Sequence, residues 1–366
     1  MIFHSRTYDY SLVAALSLLL FFAVYFLMAK TPDKPIFAVY VRSRRIMGLA
    51  LLVLACNYIV HLFVGVRFLD HTAAILLNIS TYFLAYWLFS SAFIILLDRG
   101  YLTARRVVFH MLLWLLYLGA TVAALSLTDP VQTACVTILA TLLVAYGVWL
   151  SVRLIRTYRR AVRLFDDTHS DNIASYIRWM SILTWWALIY GVGCSLLTFL
   201  PDRYVFVWIL SSIAFYMYIF VSYTNYMLYY DRVEHILETS EEYDELSENS
   251  QEIVPSYYVD IRKRLDKWIE EQGYTKPGLT LEELAGILDT NRTYLSSSIR
   301  TAYGVSFREW ITGLRLECAK RMLQEHPEYT VAAVSESTGF ASLSYFTKIF
   351  REKEGQTPGK WIRSVR

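Results

Sequence analysis

The stretch TVAAVSESTGFASLSYFTKIFREKEGQTP, residues 330–358, holds two short helical patterns on either side of a glycine. Thr330 can cap the first, Gly339 suits the turn, and Ser342 can cap the second. In the second pattern Leu343, Phe346, Ile349 and Phe350 share an inward face, while Ser344, Tyr345, Thr347, Lys348 and Arg351 lie outward. Two short helices about a tight turn, the second polar on its free side, follow the helix-turn-helix plan.

The same plan occurs upstream. Thr280 and Glu283 have capping-box spacing, and Leu281, Leu284, Ala285 and Leu288 form an apolar stripe. After a break at Asp289-Thr290, Asn291 can cap a helix to about Ala302, with Leu295 and Ile299 inward and Arg292, Thr293, Ser296, Ser297 and Arg300 outward. Between the two units, Phe307 to Gln324 reads as one helix. It would be roughly 27 Å long, which would hold the two polar helices about one DNA turn apart. A further amphipathic helix, Tyr257 to Gln272, precedes the first unit, with Gly273 as its stop. From Ile261 to Arg366 there are seventeen Lys or Arg against thirteen Asp or Glu, so the region is mildly basic.

Gly339-Phe340, Ser344-Tyr345-Phe346, Phe350, Gly355, Thr357-Pro358 and Trp361 resemble the C-terminal signature of AraC-type regulators. Leu284-Ala285, Tyr294-Leu295, Gly304, Ser306-Phe307, Arg315-Leu316, Ala319 and Leu323 fit the rest of that family's domain. The resemblance implies base-reading positions at Thr293, Ser296 and Ser297 in the first unit and at Ser344 and Lys348 in the second. Ser297 stands where many relatives have Arg, and Asn291 where they usually have Ser, which weakens direct readout by the first unit. Arg292, Arg300 and Arg351 are the expected phosphate contacts.

Working outward to the N-terminal side, the chain becomes strongly apolar. The 366 residues are 55% hydrophobic, with the apolar residues concentrated before about residue 230. Seven stretches are long enough to cross a bilayer: Leu12 to Met28, Ile46 to Val66, Ala73 to Leu97, Val107 to Leu127, Val131 to Val152, Met180 to Leu200 and Tyr204 to Met227. The first lacks a clear cleavage site and reads as a retained helix. Connections after spans one, three and five carry fourteen basic residues (Lys30, Lys34, Arg42, Arg44, Arg45, Arg99, Arg105, Arg106, Arg153, Arg156, Arg159, Arg160, Arg163 and Arg178). The opposite side has only Arg6, Arg67 and Arg203. The positive-inside rule then places the N-terminus outside and the C-terminus in the cytoplasm.

From Asp231 the composition turns acidic, and Pro255 closes the tract. The last span is expected to run on for a few turns through Val233, Ile236 and Leu237 before the acidic residues fray it. The segment serves as a tether, or as a short coiled coil with a second copy. Cys56, Cys135, Cys194 and Cys318 show neither disulfide-framework nor metal-ligand spacing, so no cofactor or metal is expected. Within the spans, Asn57, His61, Asn78 and Asn225 are costly in lipid; they either line a ligand pocket or bond between helices. Tyr216, Tyr218, Tyr223, Tyr226, Tyr229 and Tyr230 read as packing and interfacial anchors. No phosphate-cradling loop or nucleophile constellation is present, and His235 has no nucleotide-binding domain after it, so no enzyme is expected.

The expected architecture is all-α: a seven-helix transmembrane domain (residues 1–230), an acidic linker (231–254) and a small helical DNA-binding domain (255–366) with two helix-turn-helix units joined by a linking helix. The expected function is a one-component transcription regulator of the bacterial cytoplasmic membrane, its spans sensing a small-molecule or membrane signal. Expected partners are double-stranded DNA, the lipid bilayer, RNA polymerase and a second copy of the chain. The alternative is a receptor or transporter with a secondary DNA-binding appendage. Against transport, Pro32, Pro35, Pro130 and Pro201 all fall in connections, which gives no broken span.

Overall fold

A computed structural model describes residues 2–170, 179–186, 189, 193, 202–248 and 255–365, and among them it is helical with no strand. The chain forms two compact units. One comprises Met1–Arg160 with Tyr176–Glu234, the other Ala161–Ser175 with His235–Arg366.

The first unit contains α1 (Ile2–Met28), α2 (Ala38–Phe63), the short α3 (Val66–Leu69), α4 (His71–Ile95) and α5 (Ala104–Leu125), with most of α6 (Val131–Thr168) and the first part of α7 (Asp202–Glu248). Among the described residues six helices are long and apolar enough to cross a membrane: Arg6–Met28, Pro35–Phe63, His71–Ile95, Ala104–Leu125, Val131–Thr168 and Tyr204–Leu228. The expected span Met180–Leu200 falls largely outside the described residues; 180–186, 189 and 193 are helical. Cys194 and Arg178 also lie outside them.

Aromatic stacking fills the interior. Phe83 stacks on Tyr117 and Tyr146 with ring centroids 4.4 and 4.0 Å apart, and Tyr117 donates to the carbonyl of Leu139 at 2.8 Å. The α7 tyrosines Tyr216, Tyr223, Tyr226 and Tyr230 are buried. By contrast α5 turns Val108, Phe109, Leu112, Leu115, Leu116 and Val122 outward. A helix apolar on its outer side as well as its inner one has the character of a span.

Three helices run beyond their sequence-read limits. Arg42, Arg44 and Arg45 stand within α2, and buried Arg44 donates to the carbonyl of Ala29. The six-residue basic run expected after span five is helical as far as it is described, because α6 carries Arg153 to Arg163 unbroken to Thr168 with no Gly or Pro to stop it. For the same reason α7 stays helical through its acidic tract to Glu248, where fraying was expected; glutamate is a good helix former.

The second unit holds α8 (Pro255–Glu270), α9 (Leu281–Ile287), α10 (Arg292–Tyr303), α11 (Phe307–Glu325), α12 (Val331–Ser337), α13 (Leu343–Glu354) and α14 (Pro358–Val365). Two cores form, and α11 feeds both. Phe307, Trp310, Ile311 and Cys318 join Leu265, Trp268, Leu284, Leu295 and Ile299, while Leu316, Ala319 and Leu323 join Val334, Phe346, Phe350 and Trp361. Met322 packs against both. Full burial of a side chain such as Phe346 or Phe350 contributes about 1.5–3 kcal/mol, so α11 is the element without which neither core closes.

Two further contacts fix this unit. Arg315, 1% exposed, donates from Nε to the carbonyl of Tyr274 at 2.8 Å and from Nη2 to that of Lys276 at 2.6 Å. A buried guanidinium is costly without such partners, so these carbonyls pin the loop before α9 to α11. Gly339 has φ +82°, and a Cβ there would lie 2.2 Å from the carbonyl oxygen of Thr275. Only glycine allows the turn of the second helix pair to approach the loop of the first so closely.

Candidate nucleic-acid interface

The first helix pair is set by local bonds. Thr280 accepts from the backbone N–H of Glu283 at 3.1 Å, and the Glu283 carboxylate accepts from that of Thr280 at 3.2 Å. Asn291 caps α10 by accepting from Tyr294 N–H at 2.8 Å. On α10, Thr293 and Ser297 are half-buried and Arg300 is exposed. Arg292 is mostly covered, with Glu282 3.8 Å away. Ser296, expected outward, is buried at 8% exposure. Its position one residue after Leu295 and three before Ile299 puts it at the edge of the inward stripe, which removes it from the free face.

The second pair leaves more of its polar face open. Ser342 caps α13 by accepting from Tyr345 N–H at 3.2 Å, and Ser344, Lys348 and Arg351 are exposed. Lys348 sits 3.7 Å from Glu352 one turn on, an exposed pair that holds it only weakly. Leu343, expected in the core, is 45% exposed; as the first residue of α13 it has no preceding turn to cover it. Phe346 and Phe350 carry the packing instead.

Sequence reasoning passed over Arg308. At the start of α11, its Nε and Nη2 donate to the Tyr345 hydroxyl at 3.3 and 3.2 Å, and its Nη1 donates to the carboxylate of Asp166. Burial alone would lower its pKa, but Tyr345 and Asp166 outweigh that and raise it. Its neighbour Glu309 caps the helix through a box with Ser306, whose N–H and hydroxyl hold the Glu309 carboxyl below the ordinary glutamate value. Arg300 bonds to the adjacent carboxylate, Asp167, at 2.8 Å. No sequence signal marked Arg308, because its partners lie 37 and 142 positions away.

Residues 284–364 match the helix-turn-helix domain family. This segment is similar to AraC-type helix-turn-helix domains. The chain is 44% identical over 80 residues to an uncharacterized HTH-type transcriptional regulator, YobQ of Bacillus subtilis, a match covering 22% of this chain and 33% of that one. It is 30% identical over 87 residues to the regulatory protein PocR of Salmonella typhimurium, covering 24% and 28%. To the virulence regulon transcriptional activator VirF of Yersinia enterocolitica it is 32% identical over 98 residues, covering 27% and 35%. The chain thus spans about a third of the length of these relatives. No solved structure matches it. These relatives carry the names of regulatory proteins.

Within the domain, then, Ser344, Lys348 and Arg351 are accessible, Thr293 and Ser297 partly so, Arg300 is exposed but paired, and Arg292 and Ser296 are covered. The intramembrane candidates divide as well. Asn57 donates to Asn78 Oδ1 at 3.1 Å and to Thr81 at 3.2 Å, and His61 Nε2 meets the same Asn78 oxygen at 2.8 Å. These residues border a small cavity of about 30 Å³ with Tyr8 and buried Arg67. Asn225 is exposed and takes no part in it.

Proposed function

We propose that the chain is a membrane-anchored, sequence-specific DNA-binding transcription regulator whose domains divide at residues 1–230, 231–254 and 255–366. The match of residues 284–364 to the helix-turn-helix family carries this reading, and the open polar face of α13 supports it. Ser344 and Lys348 read base edges, helped by Thr293 and Ser297, whereas Arg351 and Arg300 neutralise phosphates. Seven spans hold the protein in the bacterial cytoplasmic membrane with its N-terminus outside, so the regulator meets its promoter where the chromosome approaches the bilayer. A second copy raises the effective concentration of the domain at paired sites, and contact with RNA polymerase turns occupancy into transcription. Asn57, His61 and Asn78 belong to the sensing part.

The test is to map chromosomal sites bound by the full-length protein in intact cells and to fuse a topology reporter at its C-terminus. A recurrent motif in the bound sites and a cytoplasmic reporter are expected. Bound sites with no shared motif, or a reporter outside the cell, would overturn the proposal.

A further inference from the structure

Two arginines beside the polar helices, Arg300 and Arg308, already hold carboxylates. Asp166 and Asp167 are consecutive residues near the end of α6, within the segment Ala161–Ser175 that belongs to the C-terminal unit. Asp167 takes Arg300 on α10, and Asp166 takes Arg308, which in turn grips Tyr345 on α13. One pair of adjacent carboxylates therefore reaches both polar helices. The rest of the segment is seated by backbone: the Ser170 N–H donates to the carbonyl of Leu279 at 3.1 Å, His169 and Thr280 form a bridge, and Arg315 Nη2 lies 3.5 Å from the Ser170 hydroxyl. A single surface ion pair would mean little. Here two ion pairs and a strand-like bond act together at one place, and Arg308 is left only 17% exposed.

We infer that residues 161–170 are an intramolecular lid on the DNA-facing surface, with Asp166 and Asp167 standing where DNA phosphates would otherwise bind. The inference rests on the DNA-binding reading above. A carboxylate and a phosphate oxygen offer a guanidinium the same acceptor geometry, so the two compete for Arg300 and Arg308. The lid is carried by the helix that begins at Val131 among the candidate spans, so movement of that helix changes which acceptor the arginines hold. Duplex binding and lid opening are then coupled reciprocally.

The experiment compares the full chain, purified in lipid nanodiscs, with the double variant Asp166→Asn and Asp167→Asn. The probe is a scrambled 30-base-pair duplex titrated at 50 and 200 mM salt. Freeing two arginines adds up to two phosphate contacts, each steepening the log–log salt slope by about 0.9, which over this fourfold range is roughly a tenfold greater loss of affinity for the variant. Tighter binding at 50 mM by a similar factor is expected. Hydrogen exchange gives a readout without DNA: the Ser170 amide should exchange slowly in the parent chain and faster in the variant. Equal affinities and slopes, or equal Ser170 exchange, would overturn the lid alone. Failure of both proteins to bind the duplex at 50 mM would overturn the DNA-binding reading and the lid with it.

Discussion

Gly339→Ala should destabilise the helix-turn-helix domain more than Gly355→Ala, which supplies the internal control. Both glycines have left-handed backbone, φ +82° and +73°. An L-residue in that region costs about 1–2 kcal/mol, and this term is common to the two substitutions. They differ in space. A Cβ on Gly355 meets nothing within 4 Å, whereas one on Gly339 would lie 2.2 Å from the oxygen and 2.6 Å from the carbon of the Thr275 carbonyl. Backbone cannot rotate away as a side chain would, so the loop must shift, and that loop is pinned by Arg315 through Tyr274 and Lys276. Overpacking of this kind adds about 1–3 kcal/mol. The assay is the free energy of opening of α13, from hydrogen exchange of the full chain in nanodiscs. A loss of about 1–2 kcal/mol is expected for Gly355→Ala and about 2–5 kcal/mol for Gly339→Ala. Equal losses would show that the approach of Gly339 to Thr275 does not hold the two helix pairs together, and the account of the domain's assembly would fall.

Lys348→Ala should cost about 1–3 kcal/mol on a specific duplex and relax one base position, while Arg351→Ala should weaken specific and scrambled duplexes alike and lower the salt slope by about one. Titrations of both variants on both duplexes decide, and equal losses for Lys348→Ala on the two would remove it from base reading. Because the folded Glu309 carboxyl lies below its ordinary value of 4.5, its capping contribution is complete above that pH and is lost as pH falls through the lowered folded value. Unfolding of the domain measured at pH 7 and pH 3.5 should therefore show a smaller acid-induced loss in Glu309→Gln than in the parent chain. In the N-terminal unit, Asn78→Leu removes one partner from each of Asn57 and His61 and should cost the bundle about 0.6–2 kcal/mol in detergent-unfolding titrations; an unchanged midpoint would show that the cluster does not join the helices.

What the sequence made legible was local. Thr280, Asn291 and Ser342 cap the helices they were expected to cap, because a cap is decided within four residues. Stripes such as Leu284–Leu288 and Phe346–Phe350 are buried because helical period fixes which residues share a face. Errors occurred at the edges of those faces: Ser296 turned in and Leu343 turned out, where one step of 100° decides between core and solvent. Helix ends were also misjudged where no Gly or Pro marked them, as in α6 and α7. The engagement of Arg300 and Arg308 was invisible, since ion pairs across 133 and 142 positions leave no periodicity to read.

The two polar helices are unequal, and the inequality bears on how the protein achieves specificity. On α10 the partly accessible candidates for base reading are Thr293 and Ser297, whose hydroxyls bond to either kind of base edge and discriminate poorly. On α13 Lys348 and Ser344 are exposed, so the proposed base reading would be concentrated there. If one such helix reads about three base pairs at about 1–3 kcal/mol each, a single domain commands roughly 3–9 kcal/mol of discrimination. Competition from about 10⁶ non-specific sites alone demands roughly 8 kcal/mol. One domain falls at or below that threshold unless every contact is near its best value. A second α13, brought by the proposed second copy in the same membrane, would double the discrimination without any new chemistry, and a shared bilayer would supply the proximity that makes the pairing effective. The second copy proposed above would supply that margin independently of any coiled coil in the acidic tract.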